Sequence, residues 1–407
     1  MNADAMLATM LPIRDRRDRV VGYTVSSCAP SATAPAASSE AEARATVDSV
    51  PRFARLAGRS VVVPVMPSLV RDGTITRFAS TDAVWLVATS ALDEAGTRRA
   101  VERLTGQGFH FALDGFPEGE PLPPTLAGAT LQLDAWHTPP AQLEGRIGRL
   151  IEAGLRPMVR GVDDRATRQR ALAAGAALHS GRTLVRGASA VVNRDAEARV
   201  LRTLATLAAF SDGRPPDAAF DAFIEDDADI GAALVKAMSS AALGVRGPRS
   251  VKHALNMLGR DAVMEQLVTV IARMIGEAAG DPELAFLALR RARVCERAGA
   301  ALEPVPHPRA RSAAGLLSVL EFAFGTPAYD VAGRLELSPT LRDTLERRAR
   351  PLGMLLDAVD AIDYGWWDDF RARCALLGIS PLMLSDAHLE AWRDARDELG
   401  HARLDVS

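Results

Sequence analysis

Thr130-Leu-Gln-Leu-Asp134, then Ala141–Ala153, then Pro157-Met-Val-Arg-Gly-Val-Asp163 is the stretch that decides the fold. Two short apolar runs, each ending near an Asp, enclose one helical pattern. In the helix Leu143, Ile147, Leu150 and Ile151 fall on one face, while Glu144, Arg146 and Arg149 stay wet. Gly154 follows directly, where a C-cap glycine belongs.

The same rhythm extends in both directions. Further strand signals are Val20–Val25, Val61–Val65, Val84–Ala88, Phe109–Leu113, Ala177–His179 and Leu184–Arg186, with Met158–Gly161 inside the stretch above. Helix patterns cover Thr97–Gly106 and Arg165–Ala174, followed by Gly108 and Gly175. Strands interleaved with helices in this way fit a (β/α) barrel better than an open sheet, although spacing alone does not close it. Ala29–Ala45, rich in Ala, Ser and Pro, interrupts the rhythm and reads as a mobile loop or a ragged helix.

After Asn193 the strand signals stop. Amphipathic helices are expected at Glu197–Phe210, Ala219–Ile224, Ile230–Ser240, Val251–Leu258, Ala262–Ala278, Leu284–Ala301, Ser312–Phe324 and Pro339–Arg348. Gly213–Pro216, Gly244–Pro248, Gly280–Pro282 and Pro304–Pro308 break them. The expected fold class is therefore α/β plus all-α, with a barrel over 1–192 and a helical domain over 193–407. No repeat period appears in the helical half.

A chain of 407 residues is comfortable for two domains, and 48% apolar with 24% charged residues is ordinary for a globular protein. A net charge of -3 supplies no field to gather nucleic acid or an anionic membrane, so neither is expected as a partner. Lys236 and Lys252 are the only lysines, a bias that reads as genome composition. Cys28, Cys295 and Cys374 lie far apart with no CxxC pair, which suggests reduced thiols and no zinc site. Met1–Arg19 turns to Arg and Asp before a signal-peptide core forms, and no run is long enough to span a membrane, so the cytoplasm is expected.

Several segments together resemble the bacterial EAL-HDOD proteins, in which a degenerate EAL domain precedes an HDOD domain. Pro12-Ile-Arg-Asp15 with Val20-Val-Gly-Tyr23 is similar to the family's opening strand. Phe109-His-Phe-Ala-Leu-Asp-Gly-Phe116, Leu131-Gln-Leu-Asp134, Val159-Arg-Gly-Val-Asp163 and Gly175-Ala-Ala-Leu-His-Ser-Gly181 are similar to its later strands, in order. In the second half, Asp229–Gly244, Ser250–Gly259, Ala292–Glu296, Gly315–Leu320 and Tyr364-Gly-Trp-Trp367 resemble HDOD segments.

An active EAL domain holds two divalent ions with carboxylates and an Asn, and these activate water against cyclic di-GMP. The resemblance puts Thr24 at the signature Glu, Ser27 at a phosphate-binding Arg, Pro64 at the Asn and Val87 at a further Glu. Asp114 survives from the double-Asp motif, but Gly115 follows it; Gln132 replaces a Lys, Arg160 a Glu and Ser180 a Gln. A guanidinium stays protonated and offers a metal no lone pair. At 4 Å it would repel a divalent ion by about 8 kcal/mol at an effective dielectric near 20. In the helical half the His-Asp pair of the HD hydrolases falls on Ser318 and Val319, which cannot hold a metal. No catalytic residue, metal or cofactor is therefore expected.

Asp114, Asp134 and Asp163 read as strand ends or helix caps, or as a residual weak Mg2+ or ligand site, with Asp114, Asp134 and Arg160 the candidate ligand-binding residues. The missing Arg at Ser27 counts against cyclic di-GMP as a partner, and apolar Val87 and Pro64 favour a collapsed barrel mouth. His253 and His307 lie outside any ligand spacing, and His388 and His401 fall in a polar C-terminal stretch. Trp366 and Trp367 read as a partner-binding anchor or as a plug in the bundle core. Arg309, Arg311, Arg342, Arg347, Arg348 and Arg350 read as a solvated helix surface near Asp343 and Glu346. The resemblance implies a non-catalytic signalling adaptor that binds other signalling proteins and is compatible with a homodimer. The alternative is a cyclic di-GMP receptor.

Overall fold

A computed structural model describes residues 6–30, 36–58, 60–79, 82–118, 121–181, 194–209, 228–238, 248–325, 328–335 and 337–400. They fall into two compact units. One draws on Met1–Ser189 and Ala361–Arg371, the other on Ala190–Asp360 and Ala372–His401.

The first unit is a closed eight-stranded barrel. Its strands are β1 (Leu7–Asp15), β2 (Val20–Cys28), β3 (Val61–Pro64), β4 (Ala83–Ala88), β5 (His110–Asp114), β6 (Thr130–Asp134), β7 (Arg156–Arg160) and β8 (Leu178–Ser180). From β2 onward neighbours run parallel, whereas β1 is antiparallel to both β2 and β8. Helices on the outside include α1 (Ala36–Asp48), α2 (Val50–Ala57), α3 (Pro67–Arg71), α4 (Ala95–Gly106), α5 (Pro140–Glu152) and α6 (Arg165–Ala173). The expected strands and helices are present, with ends shifted by up to three residues. Two differences stand out. The strand signals passed over β1, of which the resemblance marks only Pro12–Asp15, and Leu184–Arg186 lies outside the described residues. Within Ala29–Ala45, the ragged-helix alternative is the one realised, as the start of α1.

Alternation along each strand decides what the barrel encloses. Ile13, Met158 and Leu178 pack inside with Val62 and Ala177, so the barrel is filled at that level and is no pore. Two residues further along, the same inward row reaches Pro64, Arg160 and Ser180. At the base, the turn between β1 and β2 places Asp18 at φ +61°. There it accepts from Arg168 Nε at 2.9 Å and lies 3.3 Å from His179 Nε2. This clasp reinforces a short seam, because β1 and β8 share only the pairs Arg14–His179 and Asp15–Leu178.

The second unit is helical. Its described helices are α7 (Arg194–Ala209), α8 (Ala228–Met238), α9 (Val251–Ala279), α10 (Pro282–Ala298), α11 (Pro308–Leu317), α12 (Leu320–Phe324), α13 (Ala328–Arg334), α14 (Pro339–Glu346) and α17 (Pro381–Leu399). Between α14 and α17, α15 (Arg350–Asp363) and α16 (Trp367–Leu377) run across the unit boundary. Ala219–Ile224 lies outside the described residues. The two helices expected on either side of Gly259 are both present, parted by non-helical backbone at that residue (φ +80°, ψ 166°), and carry the single label α9. Helix α10 packs against α9, α11 and α17. Leu284, Ala288, Leu289, Ala292, Cys295 and Ala298 on it are fully buried.

Two expectations for this unit are corrected. The C-terminal stretch is α17, and His388 on it is fully buried, because Leu384, His388, Trp392 and Ala395 form one inward face. Nor is the whole arginine group solvated. Arg347 and Arg350 do pair with Asp343, but Arg311 is buried and donates to the Glu296 carbonyl at 2.6 Å.

Candidate functional site

The inward row ends at the barrel mouth, where strand register sets residues side by side. Pro64 faces Leu86, Ala88 faces Asp114, Asp114 faces Gln132, Asp134 faces Arg160, and Arg160 faces Ser180. A cavity of about 610 Å³ opens there, and Thr24, Ser27, Pro64, Asp114, Gln132, Arg160 and Ser180 all line it. Seven positions picked out of the sequence thus meet in one place.

Val87 does not join them. It pairs with Leu113 on the outward row and is fully buried, while Leu86 and Ala88 take the mouth positions. Since strand side chains alternate, a shift of one residue exchanges core for mouth. The collapse expected from Val87 and Pro64 therefore does not occur, for the small Ala88 leaves the mouth open. Gly115 is also outside the cavity lining; its carbonyl accepts from Thr89 Oγ1 at 2.6 Å.

The surviving carboxylates are engaged by side chains. Asp114 accepts from Gln132 Nε2 at 2.9 Å. Asp134 accepts from Arg160 Nη2 at 2.8 Å and from the Trp136 backbone at 2.8 Å, and sits 2.9 Å from His137 Nδ1. Burial alone would raise the Asp134 pKa, yet His137, the Arg160 charge and the Trp136 amide hold it below the usual carboxylate range. Asp163 accepts from Trp136 Nε1 at 2.5 Å, at the mouth rim. The indole lies over Gly161 (φ +74°), where an added Cβ would stand 3.0 Å from the ring. Only glycine allows that approach.

Two polar atoms at the mouth have no hydrogen-bond partner, Thr24 Oγ1 and Arg160 Nε. Sequence reasoning also missed the third wall. Tyr364, Gly365 and Trp366 line the same cavity, and the Trp367 indole donates to Ser26 Oγ at 3.2 Å. The two tryptophans are therefore neither a bundle plug nor a free anchor.

The donor set does not fit a pair of divalent ions. The strand-end positions offer a hydroxyl, a proline, an alanine and a guanidinium, and the latter already neutralises Asp134. Hard cations need several free oxygens. Among the described residues no group of three or more His, Cys, Asp or Glu is placed to share a metal ion.

In the second unit the positions singled out by the resemblance are also engaged or buried. Ser318 is buried at the end of α11, donates to the Gly315 carbonyl at 2.7 Å and accepts from Arg291 Nη1 at 3.2 Å. Arg291 is 1% exposed and reaches Asp360 at 2.7 Å, with Arg348 at 3.3 Å from the same carboxylate. Val319 is fully buried. His253 is exposed, and its Nδ1 accepts from the Arg249 amide at 3.2 Å; His307 caps α11 through Nδ1. No described helix is long and apolar enough to cross a membrane.

No family model matches the chain. Among curated proteins it is 26% identical over 148 residues to the "Cyclic di-GMP phosphodiesterase CdgJ" of Vibrio cholerae serotype O1, a match covering 36% of this chain. That match spans about a third of the relative's length, 34%. Among solved structures, the PaMucR phosphodiesterase in complex with c-di-GMP gives a TM-score of 0.38 at 15% identity over 45% of this chain and 96% of that one. The FimX EAL domain from Pseudomonas aeruginosa bound to c-di-GMP gives 0.35 at 14% identity, over 44% and 88%. The open mouth cavity, still lined by Arg160, removes the ground on which cyclic di-GMP was counted out as a partner. The error lay in reading one missing Arg, at Ser27, as the loss of the whole pocket.

Proposed function

We propose that this chain is a non-hydrolytic regulator in cyclic di-GMP signalling that acts through contacts with other signalling proteins, its barrel an EAL domain without metal chemistry and its helical unit an HDOD domain. The observation that carries this reading is the Arg160–Asp134 pair at 2.8 Å. A cation already satisfies the carboxylate that a metal would need, and the neutral Gln132 amide donates to Asp114 beside it. Arg291 occupies the matching place beside Ser318 in the helical unit. The curated relative, itself named a cyclic di-GMP phosphodiesterase, supports the nucleotide context.

A second reading, a nucleotide receptor, is favoured by one feature. The mouth keeps about 610 Å³, within the range of small-molecule sites, and Arg160 Nε and Thr24 Oγ1 stand without partners. Calorimetry with cyclic di-GMP on the full chain and on Arg160→Ala, run beside a turnover assay with Mg2+ or Mn2+, tests both. Micromolar binding that Arg160→Ala abolishes, without turnover, supports the receptor. Metal-dependent turnover that Asp114→Ala abolishes overturns the non-hydrolytic reading.

A further inference from the structure

The sequence Tyr364-Gly-Trp-Trp367 lies far along the chain from the barrel strands, yet it belongs to the barrel unit. Its contacts concentrate on the mouth end of β2. Trp367 Nε1 donates to Ser26 Oγ across 341 positions of sequence. Gly365 adopts φ +69°, and a Cβ there would fall 2.8 Å from Ser26 Oγ and 3.3 Å from Ser26 Cβ. Arg371 Nη1 donates to the Ala29 carbonyl at 2.9 Å and approaches Cys28 Sγ at 3.3 Å.

Tyr364 and Trp366 lie with ring centroids 5.2 Å apart and planes tilted by 49°, and Trp367 meets Phe370 edge-on at 6.1 Å. The turn is thus braced by its own rings and joined to β2 through Trp367 and, just beyond it, Arg371. Segments that wall a binding site can open as units, well below the cost of global unfolding.

From this arrangement we infer that Tyr364–Trp367 is an intramolecular lid on the barrel mouth, latched by Trp367 on Ser26 and by Arg371 on Ala29. With the latch closed the turn walls one side of the cavity; with it released the mouth widens for a ligand or for a partner segment. The inference rests on the cavity and the latch, and holds whichever molecule enters.

Cys28 reports on the latch. It is half-buried beneath Arg371, while Cys295 and Cys374 are fully buried. Burial also pushes the Cys28 thiol up to about 11, against the pull of Arg371, so release adds thiolate as well as access. The experiment follows labelling of each cysteine by N-ethylmaleimide in the full-length protein, read by peptide mass spectrometry. Trp367→Phe removes the indole donor and keeps a ring; Gly365→Ala strains the turn and crowds Ser26. A rise of about tenfold in the Cys28 rate in both variants, with Cys295 and Cys374 unchanged, is the expected result. An unchanged Cys28 rate in both, or equal acceleration at all three cysteines in both, overturns the lid.

Discussion

The Arg160 guanidinium at the end of β7 donates to the Asp134 carboxylate at the end of β6, Nη2 to Oδ2 at 2.8 Å, on strands whose register sets the two residues side by side. The pair is local, and its charges cancel where the resemblance would have them hold a metal. Arg160→Gln leaves Asp134 with His137 and the Trp136 amide. The Asp134 pKa then moves up toward the ordinary range, as carboxyl NMR titration will show. Arg160 is 42% exposed on its side chain, so the stability change is small, about 0.5 kcal/mol by urea unfolding.

The Asp18 clasp at the other end of the barrel matters more. Asp18→Asn keeps a residue that tolerates φ +61° but removes the charge facing Arg168, whose side chain is 9% exposed. The expected loss is about 2 kcal/mol at pH 7, less than for a fully buried pair because Asp18 is 27% exposed. Burial raises the Asp18 pKa, but His179 and Arg168 outweigh it and the net shift is downward. Its contribution is therefore present above the unfolded value near pH 4 and fades as pH falls through the folded one. Acid unfolding of the variant should accordingly be less steep below about pH 4.

His388 gives the opposite pH signature. Burial first, then the charges of Arg290 and Arg291, hold its pKa well below the usual imidazole value. The folded chain refuses a proton that the unfolded chain accepts. Stability therefore falls as pH drops below about 6.5, with a slope of about 1.4 kcal/mol per pH unit until the folded value is reached. His388→Leu should flatten that slope between pH 6.5 and 5, where carboxylates with lowered pKa values contribute little. Denaturant midpoints across that window decide it.

Arg291→Ala strips the helical unit of a guanidinium that is 1% exposed and also lies 5.7 Å from the Phe322 ring centroid. A loss of about 3 kcal/mol is expected. Arg348 still faces Asp360 at 3.3 Å, so Arg291→Met, which restores apolar volume, should recover much of it. Equal losses in the two variants would mean that the charge, not the packing, carries the effect.

Much of the barrel was legible because its strands are buried on both faces and its helices carry one apolar stripe. The resemblance, and not that pattern, located seven mouth residues. The slip at Val87 came from alignment by text, which leaves a strand's phase open; pairing with β5 fixes it. Of Leu7–Asp15 the resemblance marked only Pro12–Asp15, because Arg14 and Asp15 disguise from the strand signals a strand whose Leu7, Ala8, Met10 and Ile13 are buried. In α17 the spacing of Leu384, His388, Trp392 and Ala395 could have shown an inward face, had Asp and Arg between them not suggested a wet tail. Pairings such as Arg291 with Asp360, or Trp367 with Ser26, depend on tertiary placement that no local pattern encodes.

The turn at Tyr364–Trp367 also bears on how the protein can be dissected. Any fragment that stops near residue 192 keeps all eight strands and forfeits a side wall of its own pocket. Ligand or partner binding measured on such a piece would describe a naked rim, and a gain of affinity there would be an artefact of the cut.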